Sequence, residues 1–255
     1  MRIGRVRIGN RVSTAVLKGR TVHLVRGGPL GRLEPTGETA PLSKVALLPP
    51  VVPGKVVAIG LNYRSHVEAR AVPHDAPTHP EPFLKAPSSV IGPGAAIVLP
   101  ADAGRVDEEG EVVVVIGRRA RNLRESEVDA HVLGYTAGND ISARDWQRDD
   151  LQWWRAKSAD TFTTVGPWIA TGLNPEAIEL TVRLNGEVVQ QADTSQLIHS
   201  IRRCVAFVTS AMTLEPGDLV FTGTPGTTAQ IHPGDTVEVE VAGVGVLTNP
   251  VVAAS

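Results

Sequence analysis

The sequence predicts an α+β protein that is mostly β, with a small N-terminal β domain over residues 1–50 and a larger domain over residues 51–255. Short β-branched runs bounded by glycine or by Pro-Gly-Asp turns outnumber the helical segments. Regular crossover helices do not separate these runs, which disfavours a doubly wound parallel sheet. A chain of 255 residues is also long enough to bury one substantial core.

The N-terminal third alternates strand and turn signals. The first fifty residues carry short β-branched runs between glycines, which predict two or three small strands. Leu47 to Lys55, LLPPVVPGK, contains three prolines and a glycine and therefore predicts a linker. A buried strand is expected in KVVAIGLNY, followed by one or two helical turns in RSHVEAR. Ala71 to Pro82 is rich in proline and histidine and lacks periodicity, which predicts a loop or mobile lid.

The remaining elements are predicted from their apolar patterns. EGEVVVVIG is too uniformly β-branched for a surface strand and suits one covered on both faces. Ser126 to Gly134 predicts a helix, because Ser126 and Asp129 have capping-box spacing and Gly134 suits a helix end. An apolar stripe predicts a longer helix over Thr194 to Met212. Two Pro-Gly-Asp turns then introduce the C-terminal strand regions EPGDLVFTGTP and HPGDTVEVEVAGVGVL.

Composition limits the classes of partner and compartment. With 25 basic and 27 acidic residues, the chain has a formal charge of −2 and lacks the excess cation that nucleic-acid binding needs. The longest apolar runs are far too short to span a bilayer, so no membrane association is expected. A single cysteine, Cys204, excludes an internal disulfide and fits a reducing compartment. We therefore expect a cytoplasmic protein in which Cys204 is a small buried apolar residue.

An acidic run, Asp107-Glu108-Glu109-Gly110-Glu111, leads directly into the expected buried strand. Strand side chains alternate, so Glu109 and Glu111 point to the same face with Cβ atoms roughly 6 to 7 Å apart. At an effective dielectric of about 20, two like charges near 6 Å cost on the order of 3 kcal/mol, which a bound cation or a shared proton relieves. An all-oxygen site suits magnesium, manganese or calcium. The alternative is a solvated acidic turn before a strand.

A third carboxylate would strengthen the case for a metal site. Asp140 follows the short segment YTAG in GNDISARD, where a strand end could present it into a pocket. Its alternative role is an Asx turn or a helix N-cap. The residues alone leave both interpretations open.

Eight segments, in order from about Val56 to Val252, resemble blocks of the fumarylacetoacetate hydrolase family. They are GLNYRSH, FLKAPSSVIGPG, DEEGEVVVVIG, GYTAGNDISARDWQ, AKSADTFTTVGPW, LNGEVVQ, LEPGDLVFTGTP and PGDTVEVEVAGVGVL. The resemblance implies a mixed β-roll catalytic domain, a small N-terminal domain and a homodimer. It also implies that Glu109, Glu111 and Asp140 bind Mg²⁺ or Mn²⁺.

The resemblance also implies roles for individual residues around the metal. Lys157 matches the lysine that meets the carboxylate or oxo oxygen of the substrate, although a surface ion pair is its alternative role. Gln147 matches a glutamine on the substrate side, and Thr224 a threonine that reaches the substrate carboxylate. Arg144 is expected to be structural. The expected substrate-binding residues are Asn62, Tyr63 and Gly223.

The sequence departs from the family at the residues that activate water. Family hydrolases use a histidine and a glutamate three residues later, which share a helical face. His66 is present, but Ala69 stands three residues on, and Glu68 would point to nearly the opposite side of a helix. Glu81 or another acid in the loop could replace the missing partner. Otherwise His66 is a structural residue that lines the pocket.

These observations predict an enzyme that stabilises the enolate of a 2-oxo or 2-hydroxy-dienoic (di)carboxylic acid. The broken dyad favours an isomerase or decarboxylase similar to 2-hydroxyhepta-2,4-diene-1,7-dioate isomerase. The alternatives are a carbon-carbon hydrolase of acylpyruvate or fumarylpyruvate type, an oxaloacetate decarboxylase or tautomerase, and a metal-binding protein without turnover. The expected partner is a small 2-oxo acid.

Overall fold

The computed structural model describes residues 1–69 and 75–254, and within these ranges the chain is built mainly from strands. The strands are β1 (Arg2–Ile8), β2 (Arg11–Lys18), β3 (Thr21–Arg26), β4 (Glu34–Pro41), β5 (Ala46–Leu48), β6 (Val56–Gly60), β7 (Glu81–Lys85), β8 (Val90–Ile91), β9 (Ile97–Leu99), β10 (Val106–Asp107), β11 (Gly110–Ile116), β12 (Val132–Asp140), β13 (Ser142–Ala143), β14 (Thr163–Ala170), β15 (Glu179–Leu184), β16 (Glu187–Asp193), β17 (Leu219–Phe221), β18 (Thr236–Val241) and β19 (Gly245–Ala253).

The helices are short and lie between strands. The α-helices are α1 (Arg64–Glu68), α2 (Arg144–Asp149), α3 (Trp154–Ser158) and α4 (Ile201–Ala211), with 3-10 turns at Leu42–Lys44, Pro87–Ser89, Glu125–Ala130 and Thr194–Gln196. The mostly β fold predicted from the sequence is confirmed. No helix in the described ranges is long and apolar enough to cross a membrane.

Two sheets carry most of the strands. The larger has the order β4-β3-β2-β1-β14-β12-β11-β17-β6-β7, with β5 beside β1 and β8 beside β14, and the smaller has the order β16-β15-β18-β19-β9. Neighbouring strands are mostly antiparallel, and the parallel pairs are β17 with β6, β14 with β8 and β19 with β9. This arrangement agrees with the prediction that the sheet is not doubly wound.

Strand β11 is covered on both faces, as its uniform β-branched run predicted. Val112 and Val114 pack in the main core with residues of the smaller sheet, such as Val239. Val113 and Val115 belong to a second cluster on the opposite face. Glu109 and Glu111 continue the register of Val113 and Val115, because side chains alternate along an extended chain.

The N-terminal residues extend the larger sheet. Strand β1 pairs with β14, matching Arg2 with Ala170 and Ile3 with Ile169, and it also pairs with β2 and β5. Five strands form over Arg2–Leu48, more than the two or three predicted, and β5 takes up the start of the predicted linker. The division into domains at residue 50 stays a prediction.

The predicted helices differ from the observed ones at their boundaries. The predicted helix from Ser126 to Gly134 is wrong over its second half, because a 3-10 turn ends at Ala130 and β12 follows. Gly134 lies in that strand, where a Cβ would come 2.4 Å from the carbonyl oxygen of Ala170, so close packing and not a helix end requires the glycine.

The longest helix is also shorter than predicted. It begins at Ile201 and not near Thr194, because the Ser200 side chain accepts a hydrogen bond from the backbone N–H of Arg203 and caps the helix. Cys204 lies in this helix and is buried, as predicted. The predicted helical turns after Tyr63 form α1. The predicted loop from Ala71 to Pro82 lies partly outside the described residues, and its last two residues belong to β7.

Candidate active site

A cavity of about 480 Å³ lies beside the start of β11 and the end of β12, close to the three short helices α1 to α3. It is lined by several residues that the sequence singled out, which are His66, Glu109, Glu111, Asp140, Gln147, Lys157 and Thr224. These residues come from positions between 66 and 224 in the chain. The fold therefore brings most of the predicted site residues to one place.

Antiparallel pairing of β11 with β12 positions the three carboxylates. Gly110 is paired with Asn139, and the backbone N–H of Asp140 donates to the carbonyl of Glu109 at 2.8 Å. Asp140 at the end of β12 therefore lies across from Glu109. Gly110 lies between the two glutamates. The smaller sheet approaches this position too closely to leave room for a side chain. A Cβ at this position would lie 2.2 Å from Val182 Cγ2.

The carboxylates of Glu109, Glu111 and Asp140 form a compact cluster in the described structure. One oxygen from each residue lies within 4.8 Å of the others, and all three residues are buried. Glu111 accepts a hydrogen bond from the Gly223 backbone N–H at 2.6 Å, and among the described residues it has no ion-pair partner. A cluster of hard oxygen donors with one uncompensated carboxylate fits a divalent ion such as Mg²⁺ or Mn²⁺. The three residues can thus hold a divalent metal.

Two buried lysines hold the carboxylates on the side of α3 and β7. Lys157 Nζ donates to Glu109 Oε2 at 2.7 Å and to Asp140 Oδ2 at 2.8 Å. Lys85 Nζ donates to the other oxygen of Asp140 and to the backbone carbonyl of Lys157. Lys157 is thus buried, and not the surface ion pair that was its alternative role. Sequence reasoning missed Lys85, although this lysine lies in FLKAPSSVIGPG, one of the segments that resemble the family, and ends the short strand β7.

Burial and the charges in this cluster shift the pKa values of Glu111 and Glu109 in opposite directions. Burial, reinforced by the negative charges of Asp140 and Glu109, raises the pKa of Glu111 well above its usual range. Burial would also raise the pKa of Glu109, but the positive charges of Lys157 and Arg144 outweigh it and hold that pKa well below its usual range. The negative charge of Glu111 is therefore less compensated by protein cations than that of Glu109.

Arg144 connects the carboxylate cluster to the cavity wall. Its guanidinium donates to Asp107 Oδ2 at 2.9 Å and lies 2.7 Å from Glu109 Oε1. It also donates to Gln147 Oε1 at 2.9 Å and to Thr228 Oγ1 at 2.8 Å. Arg144 was expected to be structural, and its contacts agree with that role. They also orient Gln147, which lines the cavity from α2.

His66 presents one ring nitrogen as a proton acceptor. It lies in α1 and lines the cavity, and its Nδ1 is 2.7 Å from the Gly226 carbonyl oxygen. A carbonyl only accepts hydrogen bonds, so Nδ1 carries a proton, and in the neutral form of the ring Nε2 is the proton acceptor. Glu68 and Glu81 are exposed, and no carboxylate of the described residues is hydrogen-bonded to the ring. A histidine–glutamate dyad is thus absent from the described part of the chain.

The loop after β17 contributes Gly223 and Thr224. Gly223 contacts the cluster through the backbone N–H that binds Glu111, and a Cβ there would lie 2.8 Å from Asn62 Cβ. The Thr224 hydroxyl accepts a hydrogen bond from Gln190 Nε2 at 3.0 Å, and Gln190 also donates to the Pro225 carbonyl at 2.5 Å. Gln190 lies on β16, so the smaller sheet holds this loop in place.

None of the three predicted substrate-binding residues, Asn62, Tyr63 and Gly223, is among the described residues that line the cavity. The Asn62 side chain donates to the carbonyls of His199 and Thr222 and accepts from the His199 N–H. It therefore fastens the chain before α1 to the segment that precedes α4. Tyr63 is completely buried. Asn62 and Tyr63 belong to the segment GLNYRSH together with His66, but only His66 lines the cavity among these three residues.

Comparison with known proteins agrees with this arrangement. The model for the C-terminal region of fumarylacetoacetate (FAA) hydrolase matches residues 55–252, and an Rv2993c-like N-terminal model matches residues 1–50. Protein Rv2993c of Mycobacterium tuberculosis is 44% identical over 263 residues, covering 99% of this chain and 98% of the relative. The mitochondrial oxaloacetate tautomerase Fahd2a of Rattus norvegicus is 38% identical over 224 residues, covering 83% of this chain and 71% of the relative.

Solved structures share the fold along the whole chain. The 5-carboxymethyl-2-hydroxymuconate delta-isomerase of Mycobacterium smegmatis has a TM-score of 0.92 at 44% identity, with each chain fully covered. The 2-hydroxyhepta-2,4-diene-1,7-dioate isomerase of Mycobacterium marinum has a TM-score of 0.93 at 41% identity, covering 100% of this chain and 99% of that one. The maleylpyruvate hydrolase of Sphingobium sp. SYK-6, in complex with manganese(II) ion and pyruvate, has a TM-score of 0.82 at 26% identity, with full coverage of both chains.

The similar proteins include isomerases, a tautomerase and a hydrolase, and members of this family are mostly enzymes. The roles of the individual site residues in this chain stay predictions. The match over residues 55–252 and the identities above 40% confirm the resemblance found in the sequence, and the chain belongs to the fumarylacetoacetate hydrolase family.

Proposed function

We propose that this protein is a divalent-metal-dependent isomerase of 2-hydroxy-dienoic or 2-oxo dicarboxylic acids. The observation that carries the proposal is the buried cluster of Glu109, Glu111 and Asp140, in a cavity that is also lined by His66. The similarity to the isomerases of M. smegmatis and M. marinum supports the type of reaction.

The reaction moves one proton along a conjugated chain. In a 2-hydroxyhepta-2,4-diene-1,7-dioate, the hydroxyl on carbon 2 loses its proton and carbon 5 gains one. The double bonds at C2–C3 and C4–C5 become a C2–O carbonyl and a C3–C4 double bond. Negative charge collects on the oxygen at carbon 2 during the transfer. A bound divalent ion would supply Lewis-acid stabilisation of that charge.

The residues of this chain would perform the remaining tasks. His66 would accept and return the proton through Nε2, because Nδ1 is held by the Gly226 carbonyl. Lys157 donates hydrogen bonds to Glu109 and Asp140, so its third N–H is available to an anionic oxygen of the substrate. Thr224, whose hydroxyl is oriented by Gln190, would contact the substrate carboxylate.

The surroundings of His66 favour isomerisation over hydrolysis. A hydrolase must activate water, and family members use a histidine that is paired with a glutamate for this step. Among the described residues, the hydrogen-bond partner of His66 is a backbone carbonyl. This carbonyl orients the ring but, unlike a carboxylate, it carries no negative charge. A second candidate is oxaloacetate tautomerisation, which the rat relative supports and which needs the same proton transfer at an enol.

The proposal is tested with metal-stripped protein to which Mg²⁺ or Mn²⁺ is returned. The substrate panel contains a 2-hydroxy-dienoic diacid, oxaloacetate and an acylpyruvate, with products identified by NMR. We expect metal-dependent isomerisation of the dienoic diacid without loss of carbon. Rapid cleavage of the acylpyruvate, loss of carbon dioxide from the diacids, or metal binding without any turnover would each contradict the proposal.

A further inference from the structure

We propose that Arg105 forms a subsite at the cavity rim for the distal carboxylate of a six- or seven-carbon substrate. This inference rests on the proposed function, because it names the class of acid that the same cavity selects. Arg105 lines the cavity together with Asp107, Glu109 and Glu111. These are alternate residues of one segment that contains β10 and the start of β11, so the cavity borders this segment from the carboxylate cluster to Arg105.

The length of this stretch sets the length of the ligand. Arg105 and Glu109 are four positions apart, so their Cα atoms lie at most roughly 13 Å apart, the length of a fully extended chain. A seven-carbon diacid contains six carbon–carbon bonds of about 1.5 Å, so its end carbons lie roughly 8 Å apart. With its 2-oxo end at the cluster, its far end comes within reach of the flexible Arg105 side chain. Oxaloacetate has only four carbons, and its end carbons lie about half as far apart as those of the seven-carbon diacid. With its 2-oxo end at the cluster, its far carboxylate therefore does not reach the Arg105 side chain.

The guanidinium of Arg105 is oriented but not saturated. Nε donates to Asp107 Oδ1 at 2.8 Å and Nη2 donates to Asp107 Oδ2 at 3.2 Å. An arginine has five N–H donors, so three of them lack a hydrogen-bond partner among the described residues. The side chain is 52% exposed, which leaves the remaining fork accessible from the cavity mouth. A guanidinium fork matches a carboxylate in geometry as well as charge.

The other cations around the cavity are engaged by protein groups. Arg144 contacts Asp107, Glu109, Gln147 and Thr228, and its side chain is only 21% exposed. Lys157 contacts two carboxylates of the cluster. Among the described arginines and lysines that line the cavity, Arg105 therefore has the largest unused hydrogen-bonding capacity.

The backbone of Arg105 is fixed by the start of α2. Its N–H donates to Asp145 Oδ2 at 3.2 Å, and its carbonyl accepts from the N–H of Arg144 at 2.7 Å. The preceding Gly104 has φ +63°, and a Cβ there would lie 1.9 Å from Asp145 Oδ2. These contacts fix the backbone of Arg105, and the hydrogen bonds to Asp107 orient its guanidinium before any ligand binds, which lowers the entropy lost on binding.

The test compares two ligands that differ only at the far end, 2-oxoheptanedioate and 2-oxoheptanoate. Their affinities are measured by isothermal titration calorimetry in the presence of Mn²⁺, for the wild type and for Arg105→Gln. We expect the wild type to prefer the diacid, and Arg105→Gln to lose about 10- to 100-fold in affinity for the diacid alone. Arg118→Gln, which removes an exposed arginine outside the cavity wall, should leave both affinities unchanged.

The outcomes separate this inference from the proposed function. Equal affinities of the wild type for the two ligands, or equal losses for both in Arg105→Gln, would overturn the subsite even if dienoic diacids are isomerised. A selective loss for the diacid supports the subsite even if no isomerisation is found. Because binding is measured directly, the result does not depend on turnover.

Discussion

Lys85 donates a hydrogen bond to Oδ1 of Asp140, and neither side chain is appreciably exposed. The same ammonium also donates to the backbone carbonyl of Lys157, which in turn binds the other oxygen of Asp140. One lysine therefore holds both a candidate metal ligand and the helix that carries a candidate substrate-binding residue. Burial lowers the pKa of Lys85, and the charge of Asp140 partly offsets this effect.

Lys85→Met should weaken the site without removing any of the three carboxylates. Loss of a hydrogen-bond partner behind a metal ligand typically costs 10- to 100-fold in metal affinity or activity, and we expect a loss in this range. Mn²⁺ affinity and kcat are the measurements. Lys18→Met, at an exposed position in β2, is the matched control. If Lys85→Met keeps the Mn²⁺ affinity and the kcat of the wild type, Lys85 does not support the site.

His66→Gln should slow proton transfer but keep metal binding. A positioned general base typically contributes 10²- to 10⁴-fold, so kcat should fall by about that factor while Mn²⁺ affinity stays within about twofold. Steady-state kinetics and calorimetry separate the two effects. His232→Gln, at an exposed histidine, serves as the control. A kcat within about threefold of the wild type would exclude His66 as the base.

Gln190 and Thr224 should act as a coupled pair in substrate binding. Gln190 Nε2 donates to the Thr224 hydroxyl at 3.0 Å, so Gln190→Leu and Thr224→Val remove the same contact. The double variant should therefore lose less than the sum of the single losses, with a coupling of about 0.5–3 kcal/mol. Values of kcat/KM for the four proteins measure it. Additive losses would show that Gln190 does not orient Thr224.

Cys204 should resist thiol reagents in the folded protein. Burial raises the pKa of its thiol to about 12. The thiol therefore favours the folded state below its unfolded pKa of about 8.5, and this contribution is lost as pH rises toward 12. We expect almost no labelling by a disulfide reagent at pH 8 under native conditions and one labelled thiol per chain after denaturation. Rapid native labelling at pH 8 would contradict this expectation.

The sequence was informative where local alternation decides the structure. Glu109 and Glu111 share a face because strand side chains alternate, and that could be predicted without knowing any partner strand. The placement of Asp140 required the register of β11 and β12, which pairs Gly110 with Asn139, so the residues alone left its role open and the family resemblance indicated it. Lys85 was missed because a lysine at a strand end is ordinarily exposed, and its burial depends on contacts with residues 55 and 72 positions away.

Element boundaries were predicted less well for two physical reasons. The apolar stripe over Thr194 to Met212 is continuous, but the local cap at Ser200 determines where the helix begins. Glu34–Pro41 contains prolines and a glycine, which are unfavourable inside a sheet, yet it forms β4 at the edge of the larger sheet. At an edge the missing proline N–H groups cost little, because one side of the strand has no neighbour.

The central claim is that Glu109, Glu111 and Asp140 together bind one divalent ion. The most direct test is a calorimetric titration of metal-stripped protein with Mn²⁺, comparing the wild type with Glu111→Gln and with the exposed control Glu187→Gln. We predict one ion per chain for the wild type and the control, and at least a hundredfold weaker binding for folded Glu111→Gln. Equal affinity in all three proteins would contradict the account.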